Sequence, residues 1–179
     1  LCFPNRPILE PQLNKQLGIN ELPSGQMAIV AICPYTAYTQ EDSMIMKRSA
    51  IDRGLFRMVK YSTYKASEES SDEHFGRPII DDKKPEVVAR FKYIQDDGTP
   101  KIGAYLQQGD CIIGRYRVDG TKKTNASVYM DFSEEGYLDK VINDLGLNGK
   151  RIIKVKIRTM RIPIPGDKYA ATHAQKGTI

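Results

Sequence analysis

The chain has 179 residues, with 27 Lys and Arg against 22 Asp and Glu and a net charge of +5. That length supports one medium core or two small ones, and the modest positive balance permits a polyanionic partner without demanding one. The longest apolar run, Met27 to Cys33, falls far short of the ~20 residues that cross a bilayer, and no signal-peptide pattern opens the chain.

Cys2, Cys33 and Cys111 are widely spaced, which argues against a disulfide framework or a zinc site and suits a reducing, intracellular compartment. The ten tyrosines are scattered and tryptophan is absent, so no stacking platform is legible. The chain opens on Leu-Cys-Phe-Pro and stops at Thr-Ile. Both ends read as cut, and a piece of a longer protein is expected.

Residues 1 to 26 read as irregular, broken by Pro4, Pro7, Pro11 and Pro23. Phe3, Ile8, Leu9, Leu13 and Leu17 are candidates for an apolar lining. Met27 to Cys33 is continuous, apolar and rich in β-branched residues, which predicts a strand buried on both faces. A polar loop follows Pro34 and ends on Glu41-Asp42. Ser43 to Met46 reads as a further strand or the first turn of a helix, with Asp42 or Ser43 as cap. Ser49 to Arg53, stopped by Gly54, predicts a short helix.

From Arg57 the character changes. Met58 to Lys65 alternates weakly, and residues 66 to 85 read as a mobile surface loop. Strands are predicted over Val87–Ile94, Cys111–Val118, Ser127–Phe132 and Tyr137–Ile142. Asp97-Gly98, Gly109-Asp110, Asp119-Gly120 and Asn148-Gly149 supply the turns between them. The clearest pattern is Lys150 to Arg161: Ile153, Val155 and Ile157 alternate with Lys154, Lys156 and Arg158. Pro163 and Pro165 end that strand.

The chemistry-bearing residues sit in two stretches. Glu41-Asp42 is a carboxylate pair on a loop, suited to a hard divalent cation that also takes phosphate oxygens; the alternative is a helix cap or two surface acids. Lys168 and Lys176 stand beside Gly166 and Gly177 near the end of the chain. Lysine serves phosphate as a point charge on a flexible stem, and if the segment is a single strand the even spacing puts both on one face. The alternative is two solvated lysines. His173 is a candidate phosphate contact or acid–base group, or a structural histidine; His74 reads as incidental. The stripe Lys154, Lys156, Arg158, with Arg161, suits a nucleic-acid backbone or a solvated face.

Taken in order, these stretches resemble the second-largest subunit of multisubunit DNA-directed RNA polymerases. The resemblance rests on Gly25-Gln-Met-Ala-Ile-Val-Ala-Ile-Cys33, Tyr38-Thr-Gln-Glu-Asp-Ser-Met-Ile-Met46 and Ser49-Ala-Ile-Asp-Arg-Gly-Leu-Phe56. It continues in Gly109-Asp-Cys-Ile-Ile-Gly114, Val155-Lys-Ile-Arg158, Gly166-Asp-Lys168 and Gln175-Lys-Gly177. It implies a mainly β fold with few short helices: part of a double-psi β-barrel, the hybrid-binding region, interrupted by an antiparallel β wall or flap module. The implied segments are 1–57 and 163–179 for the hybrid-binding region and 58–162 for the insertion.

The resemblance further implies a nucleotidyltransferase subunit, inactive alone, whose main Mg²⁺ site lies on the largest subunit. Glu41 and Asp42 map beside the second, nucleotide-delivered Mg²⁺, with Asp42 the nearer. Lys168 and Lys176 map to the RNA 3′ region, with His173 between them. Implied partners are the largest and other polymerase subunits, template DNA, nascent RNA, ribonucleoside triphosphates and transcription factors, in a nucleus or a cytoplasmic viral factory, with no membrane. The family's Arg-His-Gly is here Thr172-His173-Ala174, a departure that suggests a viral or fast-evolving polymerase. The rival readings are a basic β module that binds RNA without a part in chemistry, and a docking module for transcription factors.

Overall fold

The computed structural model describes residues 1–79 and 84–179. Among the described residues the structure is mainly β, with few and short helices. None of those helices is long and apolar enough to cross a membrane. The chain divides into two compact units, Leu1–Val59 with Met160–Ile179, and Lys60–Thr159.

In the first unit, α1 (Gln12–Gln16) follows Pro11, and Gly18 at φ +63° leads into a 3-10 turn at Ile19–Glu21. The expected apolar lining does not form: Phe3, Ile8, Leu9, Leu13 and Leu17 are all exposed. Polar contacts hold this segment instead. The Asn5 amide donates to the Gly25 carbonyl at 2.9 Å, and the Met27 amide donates to Asn5 Oδ1 at 3.1 Å. The Gln26 side chain donates to the Phe3 carbonyl and accepts from the Phe56 amide.

The buried strand expected at Met27–Cys33 is not found. Ile29 and Ile32 are almost fully exposed, and the run joins no ladder among the described residues. An apolar, β-branched run states that a segment favours a covered, pleated place; it does not supply the strand that covers it.

The short helix is present as α2 (Arg48–Asp52), with Ile51 as its buried residue. Its N-cap is Lys47, with no side-chain cap bond, so neither Asp42 nor Ser43 caps it. Gly54 ends it at φ +109°, where a Cβ would also lie 2.7 Å from the Phe3 ring.

The second unit is built on long antiparallel strands. β1 (Met58–Ser67) is followed by β2 (Glu73–Phe75), α3 (Pro85–Arg90), β3 (Tyr105–Leu106), β4 (Cys111–Ile113) and β5 (Arg115–Asp119). Then come β6 (Lys122–Asn125), β7 (Val128–Tyr129), β8 (Gly136–Leu145) and β9 (Arg151–Arg161). They form sheets ordered β1-β9-β8-β3, β2-β5-β6 and β4-β7.

Asn148-Gly149 turns β8 into β9, and Asp119-Gly120 turns β5 into β6. Ile153, Val155 and Ile157 are fully buried with Leu106, Leu138, Ile112 and Ile113. Burying such a side chain contributes roughly 1.5–3 kcal/mol. β4 and β5 are separated by Gly114, whose amide donates to the Gly98 carbonyl at 2.8 Å while its own carbonyl accepts from Gly76 at 3.1 Å. A Cβ on Gly114 would lie 2.7 Å from the Gly76 carbonyl oxygen. Three glycines therefore let three backbones touch.

Two expectations are corrected here. Val87–Ile94 is not a strand but α3 and the turn after it. Pro85 sits at the first helical turn, Glu86 and Arg90 match the two ends of the dipole, and Val87, Phe91 and Ile94 recur at helical spacing against Cys111.

Residues 66 to 85 are not simply a surface loop, although 80–83 lie outside the described residues. Ser67 still belongs to β1, and β2 carries the buried Glu73 and Phe75. A charged residue at a buried position is what the sequence pattern could not signal. Glu73 accepts from Arg117 Nη2 at 2.6 Å, Arg115 Nη1 at 3.3 Å and the Glu69 amide at 3.1 Å. The Arg117 guanidinium holds its carboxyl below the ordinary carboxylate range.

A carboxyl shifted downward on folding stabilises the fold fully above its unfolded pKa, and that contribution is lost as pH falls through the lower folded value. Glu73→Gln is therefore expected to cost about 1–3 kcal/mol at neutral pH in denaturant unfolding. The gap to the parent chain should close as pH falls below the ordinary value of 4.5. A gap independent of pH would contradict the pairing.

Candidate functional site

The two candidate stretches meet in the first unit. β10 (Lys168–Ala170) and β11 (Lys176–Thr178) form an antiparallel hairpin, with Lys168 opposite Thr178, Tyr169 opposite Gly177 and Ala170 opposite Lys176. Residues directly opposite share a face. Lys168 and Lys176 thus lie diagonally on one face, about 7–8 Å apart in Cα position for such a pair. The segment is a hairpin rather than a single strand, and its register is what places both lysines on one face. Both side chains are exposed.

The opposite face of the hairpin is anchored. The Tyr169 ring packs on Phe56 at 4.7 Å between centroids, and burial pushes its phenol up. Ahead of β10, Asp167 closes the turn after Pro163 and Pro165: its carboxylate accepts from the Ile164 amide at 3.1 Å and from Arg161 Nη2. Arg161, expected to extend the basic stripe, is occupied as a latch on this turn. Neither role was read from the sequence, although Pro-Gly-Asp is a turn signal that an Asp side chain commonly closes.

The acidic stretch forms a tight turn. The Ser43 amide donates to the Gln40 carbonyl at 2.9 Å, so Glu41 and Asp42 are the turn's central residues. Glu41 adopts φ +51°, and Thr36 and Ala37 in the same loop are also left-handed. Such residues cost about 1 kcal/mol or more each and gather at functional sites.

Immediately after the turn, Ser43 pairs in parallel with Thr178 on the free edge of β11. The Thr178 amide donates to the Asp42 carbonyl at 2.8 Å, and the Met44 amide donates to the Thr178 carbonyl at 2.9 Å. Gly177 permits this: a Cβ there would stand 3.3 Å from both the Asp42 carbonyl oxygen and the Met44 sulfur.

The backbones of the two stretches are therefore joined, but the charges are not paired. Ser43, paired with Thr178, shares the face of Lys168 and Lys176. No ion pair links Glu41 or Asp42 to either lysine among the described residues. Glu41, Asp42, Lys168 and Lys176 are all exposed. His173 is exposed in the hairpin turn and makes no side-chain hydrogen bond among the described residues. No group of three or more His, Cys, Asp or Glu able to hold a metal occurs among the described residues.

Ala174 occupies the turn at φ +66°, accepting the conformation that the glycine of the family pattern adopts freely. Its amide donates to the Ala171 carbonyl at 3.0 Å, and the Ala171 amide donates to the Gln175 carbonyl at 2.8 Å. Cys111, by contrast, plays no part here: it is buried in the second unit and its thiol is pushed up to about 12, chiefly by burial.

Over residues 1–179 the chain matches the family model described as RNA polymerase Rpb2, domain 6. It is 40% identical over 199 residues to the RPB2 subunit of DNA-directed RNA polymerase II from Encephalitozoon cuniculi, covering all of this chain and 17% of that protein. It is 35% identical over 195 residues to the corresponding subunit of Meyerozyma guilliermondii, covering all of this chain and 16% of that protein. A probable RPB2 homologue from Invertebrate iridescent virus 3 is 34% identical over 190 residues, covering 99% of this chain and 16% of that protein. The chain thus spans about one sixth of the length of the curated relatives it matches.

Ala174→Gly is expected to relax the turn and raise the stability of the hairpin by up to about 1 kcal/mol. The readout is slower hydrogen exchange at the Ala171 amide. Exchange at the same rate or faster would show that Ala174 is unstrained.

Proposed function

Because this chain belongs to the RNA polymerase Rpb2 domain 6 family, we propose that it forms part of the catalytic core of a DNA-directed RNA polymerase. In this reading it binds DNA and the RNA–DNA hybrid and helps position the nucleotide-delivered Mg²⁺ and the RNA 3′ end. The unit made of Leu1–Val59 and Met160–Ile179 is the hybrid-binding part, contributing to a double-psi barrel, and Lys60–Thr159 is the wall. The observation that carries the reading is the backbone bridge that fixes the Glu41-Asp42 turn to the edge of the lysine hairpin.

The donor set fits a shared metal rather than a resident one. Glu41 and Asp42 offer carboxylate oxygens at an exposed turn, with no third ligand nearby among the described residues. That suits a hard cation held mainly by substrate phosphates and by a partner chain. Bound Mg²⁺ would offset charge on the triphosphate and hold it for in-line displacement.

Asp42 contributes a fixed negative charge on that side and is not a general base. Lys168 and Lys176 neutralise phosphates of the RNA near its 3′ end, and their common face presents two point charges along one strand direction. The contribution of this chain is therefore positioning and electrostatics. The largest subunit carries the main metal site, and the compartment is that of transcription, a nucleus or a viral factory.

In an assembled polymerase carrying this chain, Asp42→Ala is expected to slow elongation on the order of 10- to 100-fold. Unchanged elongation at saturating nucleotide and Mg²⁺ would remove the metal-side role. Lys168→Ala and Lys176→Ala should each weaken retention of a short RNA and reduce the slope of log affinity against log salt by about 0.7 for each phosphate left unneutralised. Unchanged slopes for both would remove the RNA-binding role of the lysines.

A further inference from the structure

Phe56 holds a left-handed backbone conformation, φ +50°, which sterics disfavour strongly for a bulky side chain. It lies in the turn by which the chain leaves α2. There the Leu55 amide donates to the Ala50 carbonyl at 3.0 Å, and the Arg57 amide donates to the Gly54 carbonyl at 3.2 Å. The Phe56 amide between them finds its acceptor in a side chain, Gln26 Oε1. At its other atom the Gln26 carboxamide donates from Nε2 to the Phe3 carbonyl. Asn5 grips the backbone on both sides of Gln26: its amide donates to the Gly25 carbonyl at 2.9 Å, and its Oδ1 accepts from the Met27 amide at 3.1 Å. An uncharged carboxamide accepts at one atom and donates at the other. A carboxylate in its place would meet the Phe3 carbonyl with no proton to give.

The lysine hairpin stands on the residue that this clamp holds. The Phe56 ring receives Tyr169 at 4.7 Å between centroids, with 37° between the ring planes. Tyr169 is the middle residue of β10, opposite Gly177, and the cross-strand pairs on either side of it carry Lys168 and Lys176. Two strands of three residues make a hairpin that is marginal without outside support. The cross-strand partner of Tyr169 is a glycine, which has no side chain to brace it. Phe56 supplies that brace, and the direction of its ring follows from the left-handed backbone.

We propose that Gln26 is a positioning residue for RNA synthesis: its carboxamide locks Phe56 in the left-handed conformation that carries the lysine hairpin. The proposal rests on the reading that Lys168 and Lys176 hold the RNA near its 3′ end. Gln26 itself touches no substrate. It acts through Phe56 and then Tyr169 on two cations that lie far from it in sequence. Without the clamp, Phe56 relaxes out of the left-handed region and its ring leaves the place beneath Tyr169. The lysines then keep their charge and lose their position, and a misplacement of about 1 Å at a positioning group costs on the order of 100-fold in rate.

The test uses an assembled polymerase carrying this chain. The probe is a labelled short RNA on a DNA template, and its retention is measured at several salt concentrations. Gln26→Met keeps the length and neutrality of the side chain and removes both hydrogen bonds. It is expected to weaken retention about tenfold and to lower the slope of log affinity against log salt by about 0.7 for each lysine displaced, although no cation has been removed. A residue with a merely structural part would leave that slope unmoved. In a background of Lys168→Ala and Lys176→Ala, Gln26→Met should cost no more than about a further twofold, because residues that act through one another are not additive. Phe56→Leu keeps the clamp, removes the ring and should reproduce the loss of slope; it carries the test if Gln26→Met does not assemble. A lower slope in the double lysine variant with an unchanged slope in Gln26→Met or, failing its assembly, in Phe56→Leu overturns the proposal and leaves the RNA role of the lysines standing. So does a loss that persists in full in the double lysine background. An unchanged slope in the double lysine variant overturns both.

Discussion

The joining of the Glu41-Asp42 turn to the lysine hairpin depends on a single parallel bridge, Ser43 to Thr178, made by two backbone hydrogen bonds. It ties together segments from opposite ends of the chain, and it runs close to Gly177, where a Cβ would crowd the Asp42 carbonyl oxygen and the Met44 sulfur at 3.3 Å. Without it the Glu41-Asp42 turn would be a loop tip free to wander, and the positioning role proposed for Asp42 requires that it be held. The hairpin that receives the bridge is itself braced, by Tyr169 against Phe56 behind it and by Asp167 and Arg161 at its base. Rigid support behind exposed charges is what electrostatic positioning requires.

The distribution of charge follows a consistent logic. Where charge is buried, as at Glu73, it is paired and hydrogen-bonded on both carboxylate oxygens. Where charge is assigned a function, at Asp42, Lys168 and Lys176, it is exposed and unpaired among the described residues. Backbone strain gathers partly at the same place. Thr36, Ala37, Glu41 and Ala174 hold left-handed conformations in or beside the candidate site, and in the second unit Ser133 does so too, while the tight approach of three backbones there is met by Gly76, Gly98 and Gly114.

Much of the second unit is legible in the sequence because its signals are local. The alternation of Ile153, Val155 and Ile157 with three cations and the Asn148-Gly149 turn together define the β8–β9 hairpin. Legibility fails where local preference and tertiary need diverge. The β-branched content of Val87–Val88 suggests a strand, yet Pro85 and the spacing of Phe91 and Ile94 make a helix. Lys122–Asn125 forms a strand with no apolar residue, carried by its turn and by pairing with β5. The Met27–Cys33 run carries the pattern of a covered strand without a cover among the described residues. At the candidate site the residues themselves are ordinary surface acids and lysines. Only the ordered resemblance marks them, and only the hairpin register explains how two lysines eight positions apart share a face.

If the acidic turn and the lysine hairpin form one rigid piece, the two amides of the bridge must share its stability. Hydrogen exchange at the Met44 and Thr178 amides tests this directly. Both are expected to be protected, to a similar degree and together with the Ala171 amide of the hairpin. Protection at Ala171 with loop-like exchange at Met44 and Thr178 would contradict it, since the turn carrying Asp42 would then be free of the strand that is said to hold it.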